Sequence, residues 1–165
     1  FQENEFDAAT MALVLFFVPE PRRGVAEMLR VTRPGASVSA YLWDIYNGGF
    51  PPEPIKAQLK KIGVDLPLPP SSHISEMTNL RSLWTEFQLL NIETQVIKVS
   101  RHFNNFDEFW SITTKSASIK PTLSKLPTNI LADLREAVHS ELSLNADGSI
   151  TYSAFANAIK GNVSK

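Results

Sequence analysis

The sequence predicts an α/β protein with a parallel sheet. Three observations point to this class: an apolar run stands near the start of the chain, an amphipathic segment follows it, and a second apolar run comes just after a Pro-Gly pair. A strand, a short helix and a second strand within about 40 residues form a βαβ unit. The two strands of such a unit are parallel, and its crossover is right-handed in nearly all proteins.

The first strand is predicted at about Phe6–Met11, within the run FDAATMALVLFF. This run lacks the alternation of a half-exposed strand and is typical of a strand buried on both faces. A loop through Pro21 leads to a helix over residues 21–31, whose apolar positions fall on one face. Pro34-Gly35 is expected to end that helix, and Ser37–Trp43 then forms a second buried strand.

Helices and strands continue to alternate along the rest of the chain. Helices are predicted at about 53–62, 77–89, 106–115 and 129–142, and a third strand at Glu93–Phe103. Asn105 and Thr128 are expected to cap the last two helices, because their side chains accept hydrogen bonds from the free N–H groups of a first turn. The tetrapeptide NADG at 145–148 predicts a turn. A final strand follows, with apolar residues at every second position: Ile150, Tyr152, Ala154, Ala156 and Ala158.

The composition argues against several classes of function. The 165 residues carry a net charge of −1, which gives no electrostatic reason to expect nucleic acid or an anionic membrane as a partner. Without cysteine, the sequence has no disulfide, thiolate nucleophile or zinc–sulfur site, and its three histidines lack metal-ligand spacing. The apolar run at 11–18 is too short to span a bilayer and does not resemble a signal peptide, so a cytoplasmic protein is expected.

Residues 1–44 resemble the class I S-adenosylmethionine-dependent methyltransferases, especially the small-molecule branch that includes the ubiquinone and menaquinone biosynthesis enzymes. The matching residues are Phe6-Asp7, Val18-Pro19-Glu20-Pro21, Glu27, Arg30-Val31 and Pro34-Gly35. Beyond residue 44 the match is limited to the order of the elements. The resemblance implies that the four strands are the fourth to seventh of the family's sheet, in the spatial order 4-5-7-6 with the last strand antiparallel. The fold would be the C-terminal half of a Rossmann-like sheet with inserted lid helices.

The chain is therefore expected to be one domain with part of the methyltransferase fold. Residues 1–44 would form its βαβ core, 45–76 and 104–148 would be lid insertions that bind substrate, and 77–103 with 149–160 would complete the sheet. The family's Gly-rich loop and its ribose-binding acidic residue have no counterpart in this sequence. We expect an intact protein to carry them before Phe1, and we expect this chain alone to be inactive and not to bind S-adenosylmethionine tightly.

Ligands of open α/β sheets bind at the carboxyl ends of the strands, and this rule selects the candidate site residues. The candidates for cofactor contacts follow the first strand and are Met11, Ala12, Leu13, Phe16 and Phe17. The candidates for substrate contacts lie at other strand ends or in the expected lid and are Trp43, Asp44, Tyr46, Phe103, Phe106, Trp110 and Tyr152. Core packing is the alternative for the aromatic residues, and capping of the following turn is the alternative for Asp44.

The sequence does not assign a catalytic residue. His102 is a candidate general base, since a free histidine titrates near neutrality, and a place at the solvent edge is the alternative. Methyl transfer requires few side chains, because the sulfonium is already an activated donor and because geometry and exclusion of water do much of the work.

The resemblance implies S-adenosylmethionine as the cofactor and a small, apolar or aromatic molecule as the methyl acceptor. The alternative is a methyltransferase-like module that binds a ligand or a second copy without catalysis. The first strand would lack its family neighbour, and an open apolar edge aggregates or finds a partner, so a homodimer through this edge is expected.

Overall fold

The computed structural model describes residues 1–164, which form a four-stranded sheet and six helices. The elements, in chain order, are β1 (Phe6–Ala12), α1 (Pro21–Val31), β2 (Thr32–Trp43), α2 (Glu53–Lys61), α3 (Met77–Glu86), β3 (Leu90–Phe103), α4 (Phe106–Thr113), α5 (Lys120–Leu123), α6 (Thr128–Glu141) and β4 (Ile150–Asn162). Short 3-10 segments at Leu15–Phe17 and Ser72–Ser75 complete the set. Within this described part of the chain, no helix has both the length and the apolar character needed to cross a membrane.

The strands lie in the order β1-β2-β4-β3. β1 and β2 run parallel, while β2 and β4 run antiparallel. In the numbering of the methyltransferase sheet this order is 4-5-7-6 with an antiparallel last strand, so the predicted fold class is confirmed. The first two strands are joined through α1, as the βαβ pattern predicts.

The chain forms two compact units. The first, called the sheet unit here, comprises residues 1–50, 69–98 and those from Phe155 onward. The second, called the helical unit, comprises residues 51–68 and 99–154. β3 and β4 contribute residues to both units, and the helical unit contains α2, α4, α5 and α6.

The core of the sheet unit forms on one face of β2. Val38, Ala40 and Leu42 are buried, as the alternation along a strand requires. Residues of α1 and α3 complete this core, and they are Val25, Met28, Leu80, Leu83 and Trp84. The intervening residues Ser37, Ser39, Tyr41 and Trp43 are only partly buried. β2 is thus covered on one face, and the expectation of a fully buried second strand is wrong.

β1 is also more exposed than its apolar sequence predicts. Asp7, Ala8, Thr10 and Ala12 are exposed, because β1 stands at the edge of the sheet and pairs with β2 alone. The run of apolar residues does not continue as a strand beyond Ala12. It enters the 3-10 segment Leu15–Phe17, where burial of Leu15 and Phe16 accounts for its hydrophobicity.

α1 begins and ends at the predicted residues, but Pro34-Gly35 does not end it. The helix stops at Val31, and the buried hydroxyl of Thr32 donates to the carbonyl of Met28 at 2.7 Å. Pro34 and Gly35 instead lie inside β2, between the residues that pair with Phe6 and Ala8 of β1. Gly35 has a φ of 81°, which glycine adopts readily. The Pro-Gly pair therefore belongs to a bulge in the strand.

The last strand follows the predicted alternation only as far as Ala156. Ala154 and Ala156 are buried, but beyond them the buried residues are Asn157, Ile159 and Gly161, whereas Ala158 is partly exposed. Strict alternation would place Asn157 on the exposed face of the strand, whereas its side chain is buried. β3 also starts earlier than predicted, at Leu90, because α3 already ends at Glu86.

The helical unit has its own core, in which α2 packs against α6. Its buried residues are Ile55, Leu59, Phe103, Phe106, Phe109, Ile119, Leu123, Leu134, Val138 and Ile150. The Asn105 side chain accepts a hydrogen bond from the Glu108 N–H at 2.9 Å, which confirms this cap. The cap predicted for Thr128 is wrong, because Pro127 occupies the cap position and Thr128 is already the first helical residue.

Gly161 is a site where a single methyl group should destabilise the fold. A Cβ there would lie 3.0 Å from the Leu89 Cβ and 3.2 Å from the Trp84 Cδ1. Since Trp84 is fully buried, the Gly161→Ala variant should lose about 1–3 kcal/mol of unfolding free energy, measured in urea. The matched control is Gly24→Ala in α1, where the nearest atom is the flexible end of Met11. That control should be neutral or gain up to about 1 kcal/mol. Equal stability of wild type and Gly161→Ala would contradict this packing.

Candidate functional site

The parallel strands β1 and β2 end at the same edge of the sheet unit. Residues 11–17 comprise the end of β1 and the segment after it, and residues 43–49 comprise the end of β2 and the turn after it. This carboxyl edge is where open α/β sheets place their ligands, so it is the candidate site. We call these two segments together the carboxyl edge.

The segment after β1 turns sharply and presents two apolar side chains. Leu13 has a φ of 57°, and its N–H donates to the Tyr41 carbonyl at 2.8 Å. Leu15 and Phe16 are buried, whereas Val14 and Phe17 are 47% and 59% exposed. Among the residues predicted to contact the cofactor, Phe16 therefore packs in the core. Ala12 and Phe17 are exposed, and Met11 and Leu13 are partly buried.

Ser71 ties this segment to the chain that precedes α3. Its N–H donates to the Phe16 carbonyl at 3.0 Å, and its hydroxyl donates to the Val18 carbonyl at 2.8 Å. Ser71 is itself buried. Hydrogen bonds on both sides of Phe17 thus fix its backbone, while its side chain remains exposed.

Asp44, at the end of β2, is a buried carboxylate surrounded by N–H donors. Its Oδ1 accepts from the backbone N–H groups of Tyr46 and Asn47, at 3.2 and 3.0 Å. The Asn47 amide donates to both of its oxygens, at 3.0 and 3.1 Å. These contacts show that Asp44 caps the turn that follows it, which is the alternative role expected from the sequence. Contact with an acceptor remains a prediction.

The sequence analysis missed Asn157, whose amide completes the environment of Asp44. It is 2% exposed, and its Nδ2 donates to the Asp44 Oδ2 at 2.9 Å and to the Ser75 carbonyl at 2.8 Å. The antiparallel register pairs Asn157 with Leu42, which brings it beside the end of β2. The available signal in the sequence was an amide side chain between apolar residues in the segment AFANAI at 154–159.

Gly49 closes the turn that Asp44 begins. Its N–H donates to the Asp44 carbonyl at 2.9 Å, and its carbonyl accepts from the Phe155 N–H at 3.1 Å. A Cβ at this position would lie 2.4 Å from the Phe155 carbonyl oxygen, so a side chain cannot be accommodated without backbone movement. Gly49 therefore permits the close approach of the turn to β4.

Tyr46 presents an aromatic ring and a hydroxyl at the carboxyl edge. It is 46% exposed, and its hydroxyl lies 2.7 Å from the hydroxyl of the buried Ser72. Trp43, three residues earlier, is partly buried at the end of β2. The carboxyl edge thus brings together Tyr46 and Trp43, predicted to bind substrate, with Ala12 and Phe17, predicted to bind cofactor.

The other predicted substrate residues belong to the helical unit. Phe103 and Phe106 are buried in its core, where Phe103 packs edge-on against Phe109 at 5.2 Å. Trp110 and Tyr152 are partly buried, and Trp110 lies 6.0 Å from the Phe106 ring. For the two phenylalanines the structure shows packing, the alternative stated from the sequence.

His102, the candidate general base, is exposed at the end of β3 and lies near the turn at 145–148. The hydroxyl and backbone N–H of Ser149 both donate to the Asp147 carboxylate, at 2.6 and 3.0 Å. These hydrogen bonds lower the pKa of Asp147, and the charge of His102 contributes in the same direction. The base role of His102 remains a prediction. Within residues 1–164, no group of three or more His, Asp or Glu side chains is arranged to hold a metal ion.

The carboxyl edge suits the apolar or aromatic part of a ligand better than its polar part. Val14, Phe17 and Tyr46 provide exposed apolar surface. The carboxylate of Asp44 is enclosed by donors from within the protein, so it is not free to bind ribose hydroxyls.

Replacing Asn157 with leucine should destabilise the sheet unit strongly. The Asn157→Leu variant would remove the donor to the buried Asp44 carboxylate and to the Ser75 carbonyl. We expect a loss of about 2–4 kcal/mol of unfolding free energy, because a buried charged acceptor is left with fewer donors. Urea denaturation measures this loss of unfolding free energy. The control is Asn162→Leu, since Asn162 also donates to a carbonyl, that of Gly35, but lies in an exposed hydrogen bond. Its loss should stay within about 1 kcal/mol.

Tyr152 should make stability depend on pH in the alkaline range. Burial, with a smaller contribution from the charge of Glu53, raises the pKa of Tyr152 to about 12. An unfolded tyrosine titrates near 10. The contribution of Tyr152 is therefore complete below about pH 10 and is lost as the pH rises towards 12. Urea denaturation across this range should show stability falling more steeply for wild type than for Tyr152→Phe, while absorbance at 295 nm follows phenolate formation. Identical slopes would contradict the shift.

Comparison with known proteins finds similarity to methyltransferases. Residues 1–40 match the family model described as a methyltransferase domain. The demethylmenaquinone methyltransferase of Renibacterium salmoninarum is 50% identical over 38 residues, which is 23% of this chain and 16% of that relative. The chain thus spans a small part of the curated relative that it matches.

Two solved structures are similar over nearly the whole chain. A proposed type II methyltransferase from Anaeromyxobacter dehalogenans aligns with a TM-score of 0.65 and 17% identity, covering 99% of this chain and 67% of that one. A proposed methyltransferase from Bacillus halodurans aligns with a TM-score of 0.52 and 12% identity, covering 100% and 67%. At such identities the likeness concerns the fold. The predicted resemblance is therefore confirmed: residues 1–40 match the methyltransferase-domain model, and the chain as a whole has a fold similar to part of these two methyltransferase structures.

Proposed function

We propose that this chain is part of an enzyme that transfers a methyl group from S-adenosylmethionine to a small, apolar or aromatic acceptor. The observation that carries this proposal is the coincidence of two independent findings. The methyltransferase-domain match covers β1, α1 and most of β2, and the strand order β1-β2-β4-β3 is the one that this family implies. The carboxyl edge lies at the end of the matched segment.

S-adenosylmethionine, when bound, supplies a methyl group already activated by the sulfonium. Ala12, Val14 and Phe17 fit its apolar contacts, because they are exposed where β1 ends. The polar groups of the cofactor require carboxylates or free N–H groups. Asp44, the carboxylate at the end of β2, is already enclosed by donors. The role proposed for this chain is therefore an apolar wall for the cofactor rather than its polar ligand set.

Tyr46 and Trp43 are the residues proposed to receive the acceptor. Their rings suit a flat apolar molecule, and the paired hydroxyls of Tyr46 and Ser72 could orient a polar substituent on it. Asp44 acts indirectly by holding the turn from which Tyr46 projects. The matched relative is a demethylmenaquinone methyltransferase, which makes demethylmenaquinone a suitable acceptor to test.

The test uses the full-length product of the gene. We expect it to bind S-adenosylhomocysteine in calorimetry and to transfer labelled methyl groups from S-adenosylmethionine to a reduced demethylmenaquinone analogue. Phe17→Ala should weaken S-adenosylhomocysteine binding about fivefold to tenfold, because an apolar contact of the cofactor is lost. The control Leu144→Ala, at a similarly exposed apolar residue of the helical unit, should leave binding unchanged. Absence of both binding and transfer would refute the proposal.

The second candidate function is a non-catalytic module that pairs with a second copy through β1. It is favoured by the open edge of this strand, where Ala8 and Thr10 are exposed and no other strand of residues 1–164 is adjacent. Exposed strand edges tend to pair. Sedimentation equilibrium of the same preparation should then show a dimer, with slow hydrogen exchange along β1. A monodisperse monomer with rapidly exchanging β1 amides would rule out this pairing.

A further inference from the structure

A groove on the helical unit has features of a ligand site that the proposed methyl transfer does not use. It lies among α4, α5 and α6, and has a volume of about 220 Å³. The lining residues are Trp110, Thr114, Lys120, Leu123, Ser124 and Leu131. We propose that this groove binds a small anion that consists of one apolar ring and one carboxylate or phosphate group. This proposal does not rest on the proposed function.

The apolar part of the groove is continuous with the core of the helical unit. Leu123 is almost fully buried in the core of the helical unit, and Leu131 packs against the same core. Trp110 is held beside the ring of Phe106, with the ring centroids 6.0 Å apart. A cavity of about 150 Å³ is sufficient for benzene, so the groove has room for a single ring. The indole and the two leucines supply the apolar contacts that such a ring requires.

The charge of the groove favours an anion. Residues 109–132 contain no aspartate or glutamate but include Lys115, Lys120 and Lys125. All three lysines are exposed, and none of their ammonium groups has an ion-pair partner within the described chain. This segment is positively charged although the net charge of the whole chain is −1.

Several other cations of the chain form ion pairs. Arg22, Arg23, Arg30 and Arg33 of the sheet unit each form an ion pair with a carboxylate. In the helical unit, Arg135 pairs with Asp107. Lys120 has no such carboxylate partner among residues 1–164 and lies in the wall of an apolar groove, where its charge is complementary to a ligand's negative charge.

The two hydroxyl groups that line the groove already donate hydrogen bonds within the protein, so Lys120 is the side chain that can donate to a ligand. The Thr114 hydroxyl donates to the Trp110 carbonyl at 2.7 Å, and the Ser124 hydroxyl donates to the Pro121 carbonyl at 3.1 Å. Their protons are thus engaged within the protein. The Lys120 ammonium carries three N–H donors and the positive charge, so it is the group that would hold the anionic end of the ligand.

Titration of the ¹⁵N-labelled chain with phenylacetate and with phenyl phosphate tests this site. Both probes carry one ring and one anion, and the neutral phenylacetamide is the matched probe without charge. We expect saturable NMR shifts at the Trp110 indole N–H and at Lys120 with at least one anionic probe, and weaker binding of phenylacetamide. The stronger of the two anionic probes identifies the preferred group, carboxylate or phosphate.

Variants of Lys120 test the contribution of its charge separately from that of the apolar contacts. Lys120→Gln should raise the Kd of the anionic probe about threefold to fivefold, as expected for an exposed ion pair, and Lys120→Arg should retain affinity. Lys60→Gln, at an exposed lysine of α2 outside the groove, should change nothing. The spectrum of each variant without ligand verifies that it is folded. Absence of saturable shifts at Trp110, or equal affinity of wild type and Lys120→Gln, would overturn the proposal.

Discussion

The antiparallel pairing of β4 with β2 is the interaction on which the sheet unit depends. Residues 37–43 pair with residues 156–162, across more than a hundred intervening residues. The pairing brings Ile159 into the core beside Val38 and Ala40, and places Gly161 against Trp84. Loop-closure entropy grows only slowly with separation, so the intervening chain can be long without preventing such a pairing. Burial of the apolar face of β2 supplies free energy that stabilises this pairing.

The same pairing gives Asp44 its environment. A buried carboxylate is unfavourable unless donors surround it, and here the donors are amides and backbone N–H groups rather than a cation. Three of these groups come from the turn that follows Asp44, whereas the Asn157 amide comes from β4. Asp44 therefore joins the end of β2, its following turn and the last strand. At the carboxyl edge, this polar network orders the backbone from which Tyr46 is presented.

Aromatic residues serve different purposes in the two units. In the helical unit, Phe103, Phe106 and Phe109 are buried and pack against one another. In the sheet unit, Phe17 and Tyr46 stay exposed because neighbouring hydrogen bonds and buried residues fix their backbone. Exposed aromatic side chains held by a rigid backbone are suited to binding, since little conformational entropy remains to be lost.

Local and periodic signals were sufficient to predict much of this fold. The amphipathic spacing of residues 21–31 predicted α1, and the Asn105 cap and the 145–148 turn followed from side chains that bond to nearby backbone. The spatial order of the strands followed from the resemblance carried by residues 1–44. The motif residues at the joints of the βαβ unit also carried the resemblance to methyltransferases, and the match of residues 1–40 to the methyltransferase-domain model agrees with it.

Long-range contacts decided the remainder. Pro34-Gly35 predicts a helix stop locally, but pairing with β1 makes it a strand bulge. The apolar run of β1 predicts burial, but its place at the sheet edge leaves it exposed. Asn157 lies off the period of its strand and becomes a partner of Asp44 only through the register with β2. The sequence by itself determined most of the segments that form helices and strands, though not α5, and the family that they resemble, since these depend on neighbouring residues. Which side chains are buried, paired or presented was decided by tertiary structure, because burial and hydrogen bonding depend on partners far away in the chain.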